Sequence, residues 1–492
     1  MKILLYICIA DHQYNMLIRR YRHPNLGILL GLLSLLLTAS AAHGQILRSS
    51  FFLEGAQYRM QLNPALVPER GYVNPPAVGG TGAWVQSDVL GIDDAMDLFR
   101  HGDNGDYYTT ESFTAKLKDT NKAALGAATD IISAGWWHGG KGFMSFNVTV
   151  KADGYVTAPK ELFSFMQDMR GMHSNDYSNY RCDIRGVEFN VNNYVEIGAG
   201  YTRVINNRVY IGGRVKWLLG MGNMNLKAKN ISVITNLEGV DPDLDWSTAP
   251  PLDLRAAKGT AQVLADAQLS SSFEGLDLVT NDEGYIETLR YRVNHSGVAG
   301  HGAAVDLGLA CEVFDGLTLS AAINDIGFIK WTKACTQEAY ANTAPLAYDS
   351  NNPGDYKRFL GIIGSDEPIN LHLLRLTIDD QQRSRTTRLA STMTVGGKYR
   401  TKNDKLGFGA LYSCHYVKTG AMSELTFGLN YRPFRLLDFA VTYSPIMCGG
   451  QSIGAALKFG PLFIGSDYIY MGKNIKSCNA LIGLSIPLGK ME

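Results

Sequence analysis

Leu425-Thr426-Phe427-Gly428-Leu429-Asn430-Tyr431-Arg432 alternates large apolar or aromatic side chains with small or polar ones, residue by residue. The same beat returns at Leu437, Phe439, Val441 and Tyr443 against Asp438, Ala440, Thr442 and Ser444. It returns again at Val195, Ile197, Ala199 and Tyr201 against Glu196, Gly198, Gly200 and Thr202. Successive side chains of a strand point to opposite faces, so each stretch is a strand with one apolar face. A soluble sandwich or propeller would bury that face and present charge on the other. Here the other face is mostly Gly, Ser, Thr and Asn, too small and uncharged for a solvated surface. An apolar exterior around a polar interior is the pattern of a transmembrane β-barrel.

Working outward, the beat marks strands near 78–87, 128–137, 143–152, 194–204, 208–235, 303–313, 317–331, 386–400, 405–416, 422–432, 436–445, 451–459, 461–471 and 479–488. That is an all-β chain of about fourteen antiparallel strands within a range of 12–16. Splitting 208–235 at its bend near Gly220–Gly222 and adding 184–192 gives sixteen. With fourteen, the short connections near 138–142, 205–207, 314–316, 401–404, 432–435 and 459–461 fall at one end. The long ones, 88–127, 153–193, 236–302 and 332–385, fall at the other. Outer-membrane barrels have an even strand number, short periplasmic turns and longer outer loops. The long connections are therefore expected outside the cell, and Trp136 and Trp137 in the periplasmic aromatic girdle. Pro159–Arg170 reads as a loop helix with an apolar stripe (Leu162, Phe163, Phe165, Met166, Met169) that packs on the barrel mouth or receives a ligand. Ala-rich 255–269 reads as a second helix.

The N-terminus reads as an export signal in residues 1–44. Arg19, Arg20 and Arg22 precede the apolar run Leu26–Leu37, and Ala42-His43-Gly44 offers a cleavage site, with Met16 an alternative start. The other reading, a membrane anchor, needs a longer apolar run. Removing residues 1–44 leaves 42 Lys+Arg against 45 Asp+Glu, a net charge of −3, which gives no field for nucleic acid. Charged residues are 19% of the chain, below the roughly 25% of soluble domains. Residues 45–77, rich in Asn, Pro and Gly, form an ordered N-terminal segment ahead of a barrel over 78–492. Six cysteines follow the signal. Parity sets Cys311 and Cys414 toward lipid, Cys448 and Cys478 lie in neighbouring turns that allow a bridge, and Cys182 and Cys335 lie in loops.

Parity also nominates lumen-lining charges: Glu196, Arg214, Lys216, Asp306, Glu312, Arg388, Lys398 and Asp438, together with Lys458 and Asp467. Their mixed signs suit either ion pairing to a plug or a water-filled path. Gly450-Gln451-Ser452-Ile453-Gly454 matches G-x-S-x-G, but that chemistry needs a sharp strand-to-helix turn, and here the pentapeptide opens a strand. No enzyme is expected. The oxygen-rich 101–106 and the trio Asp241, Asp243 and Asp245 lack an EF-hand pattern, and His295 and His301 lack a zinc pattern, so no metal or cofactor is expected.

Gln61-Leu62-Asn63-Pro64-Ala65, then Pro68-Glu69-Arg70-Gly71-Tyr72, resembles the N-terminal motif of a Bacteroidota outer-membrane β-barrel family of unknown function. Ala158-Pro159-Lys160-Glu161-Leu162-Phe163, Tyr194-Val195-Glu196-Ile197-Gly198 and Ile323-Asn324-Asp325-Ile326-Gly327-Phe328-Ile329-Lys330-Trp331 resemble the same family. Asn-Pro-Ala is also similar to long-chain fatty-acid transporter barrels and PorV-type barrels associated with type IX secretion. By that resemblance residues 50–76 form a hatch inside a fourteen-stranded barrel, with Asn63, Pro64 and Ala65 in its turn. The chain departs from the transporters after the motif and in its loops, and it ends in Lys-Met-Glu instead of the terminal aromatic common in other outer-membrane barrels. The expectation is an outer-membrane barrel, partnered by lipid, for passage or capture of a small hydrophobic molecule in an apolar pocket between hatch, loop helix and wall. The alternative is a non-enzymatic partner in surface protein secretion or assembly.

Overall fold

The computed structural model describes residues 47–89, 111–171, 177–240, 257–292, 297–341, 345–352, 371–417, 420–447, 450–468 and 476–489, with isolated positions 91, 94, 294 and 354–356. The signal region, 101–106, Asp241, Asp243, Asp245, His295 and Cys448 lie outside the described residues.

Fourteen staves close into one antiparallel barrel. The first is Gly71–Asn74 with Thr81–Ser87, followed by Thr120–His138, Gly142–Pro159, Ser178–Ile205 and Val209–Glu238. Gly300–Phe314 and Leu317–Trp331 come next, then Arg385–Arg388 with Ser391–Arg400, and Leu406–Val417. Gly420–Phe434, Leu437–Met447, Gly450–Phe459, Leu462–Ser466 and Ser477–Leu484 with Ile486–Leu488 complete the wall. Gly71 opposite Leu488 and Thr81 opposite Ile482 close the ring, which leaves no sheet edge in the membrane. The outward positions are apolar and exposed, as at Val215 (64%) and Leu429 (54%), so the outer belt is built for lipid. No helix among the described residues is long and apolar enough to cross a membrane.

The strand count agrees with the sequence reading, and the differences have identifiable causes. The stretch 184–192 is the upper part of one 28-residue strand, Ser178–Ile205, and 208–235 is one strand of 30 residues. The helix expected at 255–269 is instead the strand Lys258–Phe273, whose alanines pack in a sheet core. The helix Lys160–Gly171 forms as expected, with Phe163 against Phe113 at 5.6 Å. Adjacent residues of a strand cannot share a face, so Trp136 is exposed outward while Trp137 turns inward and donates from Nε1 to Pro68 O.

Ser178–Ile205 and Val209–Glu238 outgrow the barrel at the end with the long connections. There Lys258–Phe273 joins the sheet, followed by Thr336–Ala341, Leu346–Asp349 and Leu376–Ile378. The outward face of this extension is apolar. Met224, Leu226, Leu269 and Ala339 pack under Leu278, Ile286 and Leu376, with the hairpin Leu276–Thr280/Ile286–Tyr291 as cover.

A bulge keeps the inner face polar where the wall changes role. Asn193 pairs with Gly222 but Tyr194 pairs with Gly220, so Met221 is an extra residue. Below it even positions (Arg214, Lys216) face the lumen; above it odd positions (Asn223, Asn225, Lys227) do, while the neighbouring strand keeps its parity.

Candidate functional site

Leu47–Arg70 fills the lower lumen. Leu47, Phe51, Phe52, Leu53, Tyr58 and Leu62 bury themselves against the wall residues Ala310, Leu411, Ala440, Ala456, Phe463 and Leu481. A short 3-10 turn, Arg48–Phe52, and one helical turn, Arg59–Leu62, are its only regular structure.

The Asn63-Pro64-Ala65 turn is held by named bonds. Asn63 Oδ1 accepts from Ala65 N at 2.8 Å, the local bond by which asparagine mimics a backbone turn. Asn63 Nδ2 donates to Leu309 O (3.1 Å) and Ala321 O (3.2 Å), and Thr202 Oγ1 donates to Pro64 O (2.7 Å). Leu62 O accepts from Asn324 Nδ2 (2.8 Å) and Thr394 Oγ1 (3.1 Å). The wall is hollowed to match. A Cβ on Gly212 would lie 2.6 Å from Pro64 C, one on Gly308 would collide with Asn63 Oδ1, and one on Gly428 would lie 2.5 Å from the Phe52 ring.

Ion pairs pin both ends of this plug. Near the long-connection end the Arg48 guanidinium meets Glu424 and, at 3.3 Å, Asp467; the amides of Arg48 and Ser49 also donate to Asp467 (2.8 and 2.9 Å). Lower down, Glu54 meets Lys398 (3.2 Å) and Arg400 (2.6 Å), while Lys398 Nζ donates to Phe52 O. Gly55 N donates to Asp438, which also accepts from Asn430 Nδ2. At the short-turn rim Arg432 grips Glu69 with two bonds, 2.5 and 2.8 Å. This hydrogen-bonded pairing holds the Glu69 carboxyl below its ordinary range, against the opposing pull of partial burial.

The remaining nominated charges divide by height. Glu196, Lys216 and Asp306 form one buried network with Arg214, Lys151 and Asp325, three cations against three anions. Lys216 Nζ lies 2.6 Å from Asp325, 2.8 Å from Asp306 and 3.5 Å from Glu196; Lys151 Nζ lies 2.7 Å from Glu196. Arg214 reaches both Asp306 (3.6 Å) and the plug at Met60 O (3.4 Å). Glu312 sits apart, accepting from Gly316 N in a rim turn, and Lys458 donates to Gly460 O. Arg388 does not share the inner face: it stands opposite outward-facing Phe328, and Arg385 and Thr387, on the side of Trp331, are the inward residues of that strand.

Sequence reasoning missed Lys151, which shares parity with Asn147 and Thr149 and was therefore findable. It missed Asp325 because a bulge places Asn324 and Asp325 together opposite Asp306, with Asp325 at φ 60°. That bulge sends Asn324 to the plug and Asp325 to Lys216, which explains the Ile323–Trp331 motif. Arg48 and Glu54 lie in a segment with no strand period to read.

Above the plug is a cavity of about 970 Å³. Its floor includes Tyr58, Met60 and Leu62, its side includes Tyr72, Trp84 and Tyr194, and its upper wall is the polar face of the extension. The lining is thus mixed where an apolar pocket was expected, and among the described residues none of the helix Lys160–Gly171 contributes to it. Across the extension the register sets Asp153, Asn192, Asn223, Ser272 and Thr336 in one row. Tyr155, Asn190, Asn225, Ser270 and Glu338 form the next, and Thr157, Glu188, Lys227, Gln268 and Tyr340 the third. Within the first row Asn192 Nδ2 donates to Asp153 (2.9 Å) and Asn223 Nδ2 to Asn192 Oδ1 (2.5 Å).

Ser452 is buried on the inner face opposite Ser444 within the strand Gly450–Phe459, so its pentapeptide has no strand-to-helix turn. Cys311 lies at an outward position between exposed Leu309 and Val313, whereas Cys414, of outward parity too, is covered and accepts from Ser423 Oγ at 3.8 Å. Among the described residues no group of three His, Cys, Asp or Glu is placed to hold a metal ion.

Among solved structures the chain is similar to the Ralstonia pickettii toluene transporter TbuX, at 9% identity over 92% of this chain and 100% of that one, with a TM-score of 0.42. It is similar to the P. putida toluene transporter TodX (10% identity, 89% and 95% covered, TM-score 0.39). A Pseudomonas aeruginosa FadL homologue gives 10% identity, 89% and 95% covered, and a TM-score of 0.37. No curated protein matches. A family of unknown function, DUF5723, matches residues 64–467, and the chain belongs to it.

Proposed function

We propose that this chain is an outer-membrane barrel with its long connections at the cell surface, and that it captures or passes a small, largely hydrophobic molecule carrying a polar group. The observation that carries this reading is the cavity between plug and extension. At about 970 Å³ it is at the upper end of small-molecule sites, and it sets aromatic rings low and hydrogen-bonding groups high. The plug, residues 47–70, fills the lumen below it with an apolar, ion-paired fit, so capture precedes any passage and passage requires the plug to shift. Purified protein is soaked with acyl or aromatic amphiphiles and its structure solved; absence of ligand density in this cavity at saturating concentration defeats the proposal. The sidedness is tested by proteolysis of intact cells, where cuts at 205–207 or 432–435 would overturn it.

The folded extension favours a second reading, a partner in surface protein assembly. A sheet with its own core and a covering hairpin is a rigid platform, unlike a loose loop. Trimming the hairpin Leu276–Tyr291 spares the barrel strands; a stoichiometric partner that co-purifies with the whole chain and is lost on that deletion would favour this reading over capture.

A further inference from the structure

We propose that the three polar rows above the cavity bind a neutral, hydroxyl-rich group, a carbohydrate moiety, so that the molecule captured is an amphiphile with a sugar head. The proposal rests on the capture reading for the apolar part of that molecule only.

Fifteen inward positions on five adjacent strands carry no aliphatic side chain. At the alternate positions Val187, Met224, Leu226, Ala267, Leu269 and Ala339 pack in the apolar cluster under the hairpin, so the polarity belongs to one face and not to the segment. Amides and hydroxyls dominate those rows, and each offers both donor and acceptor capacity, matching sugar hydroxyls that need both at every carbon. The charges in and beside the rows leave no positive excess: Lys227 and Arg385 stand against Asp153, Glu188 and Glu338. An anion site would leave a positive excess, and a hydrocarbon site would not spend this many buried polar groups.

Much of the hydrogen-bonding capacity is internal, but not all of it. Asn190 is 94% buried, lines the cavity, and accepts from Asn192 at Oδ1, yet its Nδ2 has no partner among the described residues. Asn225 donates to Glu188 (3.2 Å) and Phe189 O (3.4 Å), and its Oδ1 accepts from none of the described residues. One unused donor and one unused acceptor thus stand opposite each other in the register of neighbouring strands. Tyr155, next to Asn190 in the same row, lends an aromatic face for the C–H side of a sugar ring, and its hydroxyl is already fixed on Glu188 at 3.1 Å.

The test uses the whole protein in lipid nanodiscs and three probes: dodecyl maltoside, dodecyl dimethylamine oxide with the same tail, and maltose. Binding is measured by calorimetry for wild type, Asn190→Ala/Asn225→Ala and the milder Asn190→Ser, with folding checked by heat-modifiable gel mobility. The expected result is tighter binding of the maltoside than of the amine oxide, and an about tenfold loss of the maltoside alone in the double variant, from two neutral hydrogen bonds. Equal binding of both amphiphiles, unmoved by either variant, overturns the sugar proposal and leaves capture standing. Maltose bound while neither amphiphile competes supports the sugar site and sinks the hydrophobic-capture reading. No binding of any probe overturns both.

Discussion

Replacing Arg48 with alanine tests whether the plug is held by charge at its upper end. Arg48 is 1% exposed and Glu424 3%, so its removal leaves two buried carboxylates, Glu424 and Asp467, facing empty space. Breaking one partner out of a buried pair costs about 3–5 kcal/mol. Glu424 keeps Gln86 Nε2 and Ser413 Oγ, and Asp467 keeps the amides of residues 48 and 49 and Asn479 Nδ2. These neutral donors place the loss at the low end, about 3 kcal/mol, which raises the population with its first turn released by roughly a hundredfold. A cysteine at Ser49, buried in the closed plug, reports that population through its rate of alkylation in proteoliposomes. The rate is expected to rise about a hundredfold in Arg48→Ala, and by less in Arg48→Lys, which keeps the charge but not the planar fork. A rate within twofold of the parent would refute the argument that this cluster, and not the apolar packing of Phe51 and Phe52, secures the turn.

Three further outcomes follow from the same geometry. Gly428→Val sets a side chain into the Phe52 ring and is expected to destabilise the plug by about 1–3 kcal/mol while the barrel still assembles, read by the same alkylation rate and by gel mobility. Deleting Met221 removes the bulge, turns Asn223, Asn225 and Lys227 to the apolar side and buries them against Leu278 and Ile286; trypsin is expected to degrade the extension while the barrel core persists. The Glu69 pair makes stability pH-dependent. Because its carboxyl is depressed in the folded state, the stabilisation is complete above the ordinary glutamate range and is lost as pH falls through the depressed value. The heat-modifiability midpoint of wild type should therefore fall more steeply than that of Glu69→Gln on acidification below about pH 4.5, the two converging at low pH.

How much was legible in the sequence depends on whether a residue obeys parity. Strand number, closure and the lumen position of Glu196, Lys216 and Lys398 follow from a two-residue beat that needs no tertiary information. The beat fails at each inserted residue. Met221 makes one strand look like two, and Asn324-Asp325 hides a member of the central ion network. Lys258–Phe273 failed differently. Its alanines are good helix formers, and only the sheet core over Leu278 and Ile286 makes them strand residues.

The small inner-face residues hold more than the beat alone conveys. Gly and Ser alternating with aromatics read only as the polar interior of a barrel, and Gly212, Gly308 and Gly428 are small because Pro64, Asn63 and Phe52 stand against them. An inner face of glycine thus marks where the lumen is filled, and the plug's outline is written on the wall before the plug itself can be recognised. The converse locates the open space. Where the inward positions grow to Asn, Gln, Tyr and Lys, no described segment packs on them, and the cavity begins at that height. Side chains of that size and polarity, with a donor at Asn190 and an acceptor at Asn225 unused among the described residues, are costly to bury without a partner, and that cost is the ground on which the sugar-headed ligand is proposed.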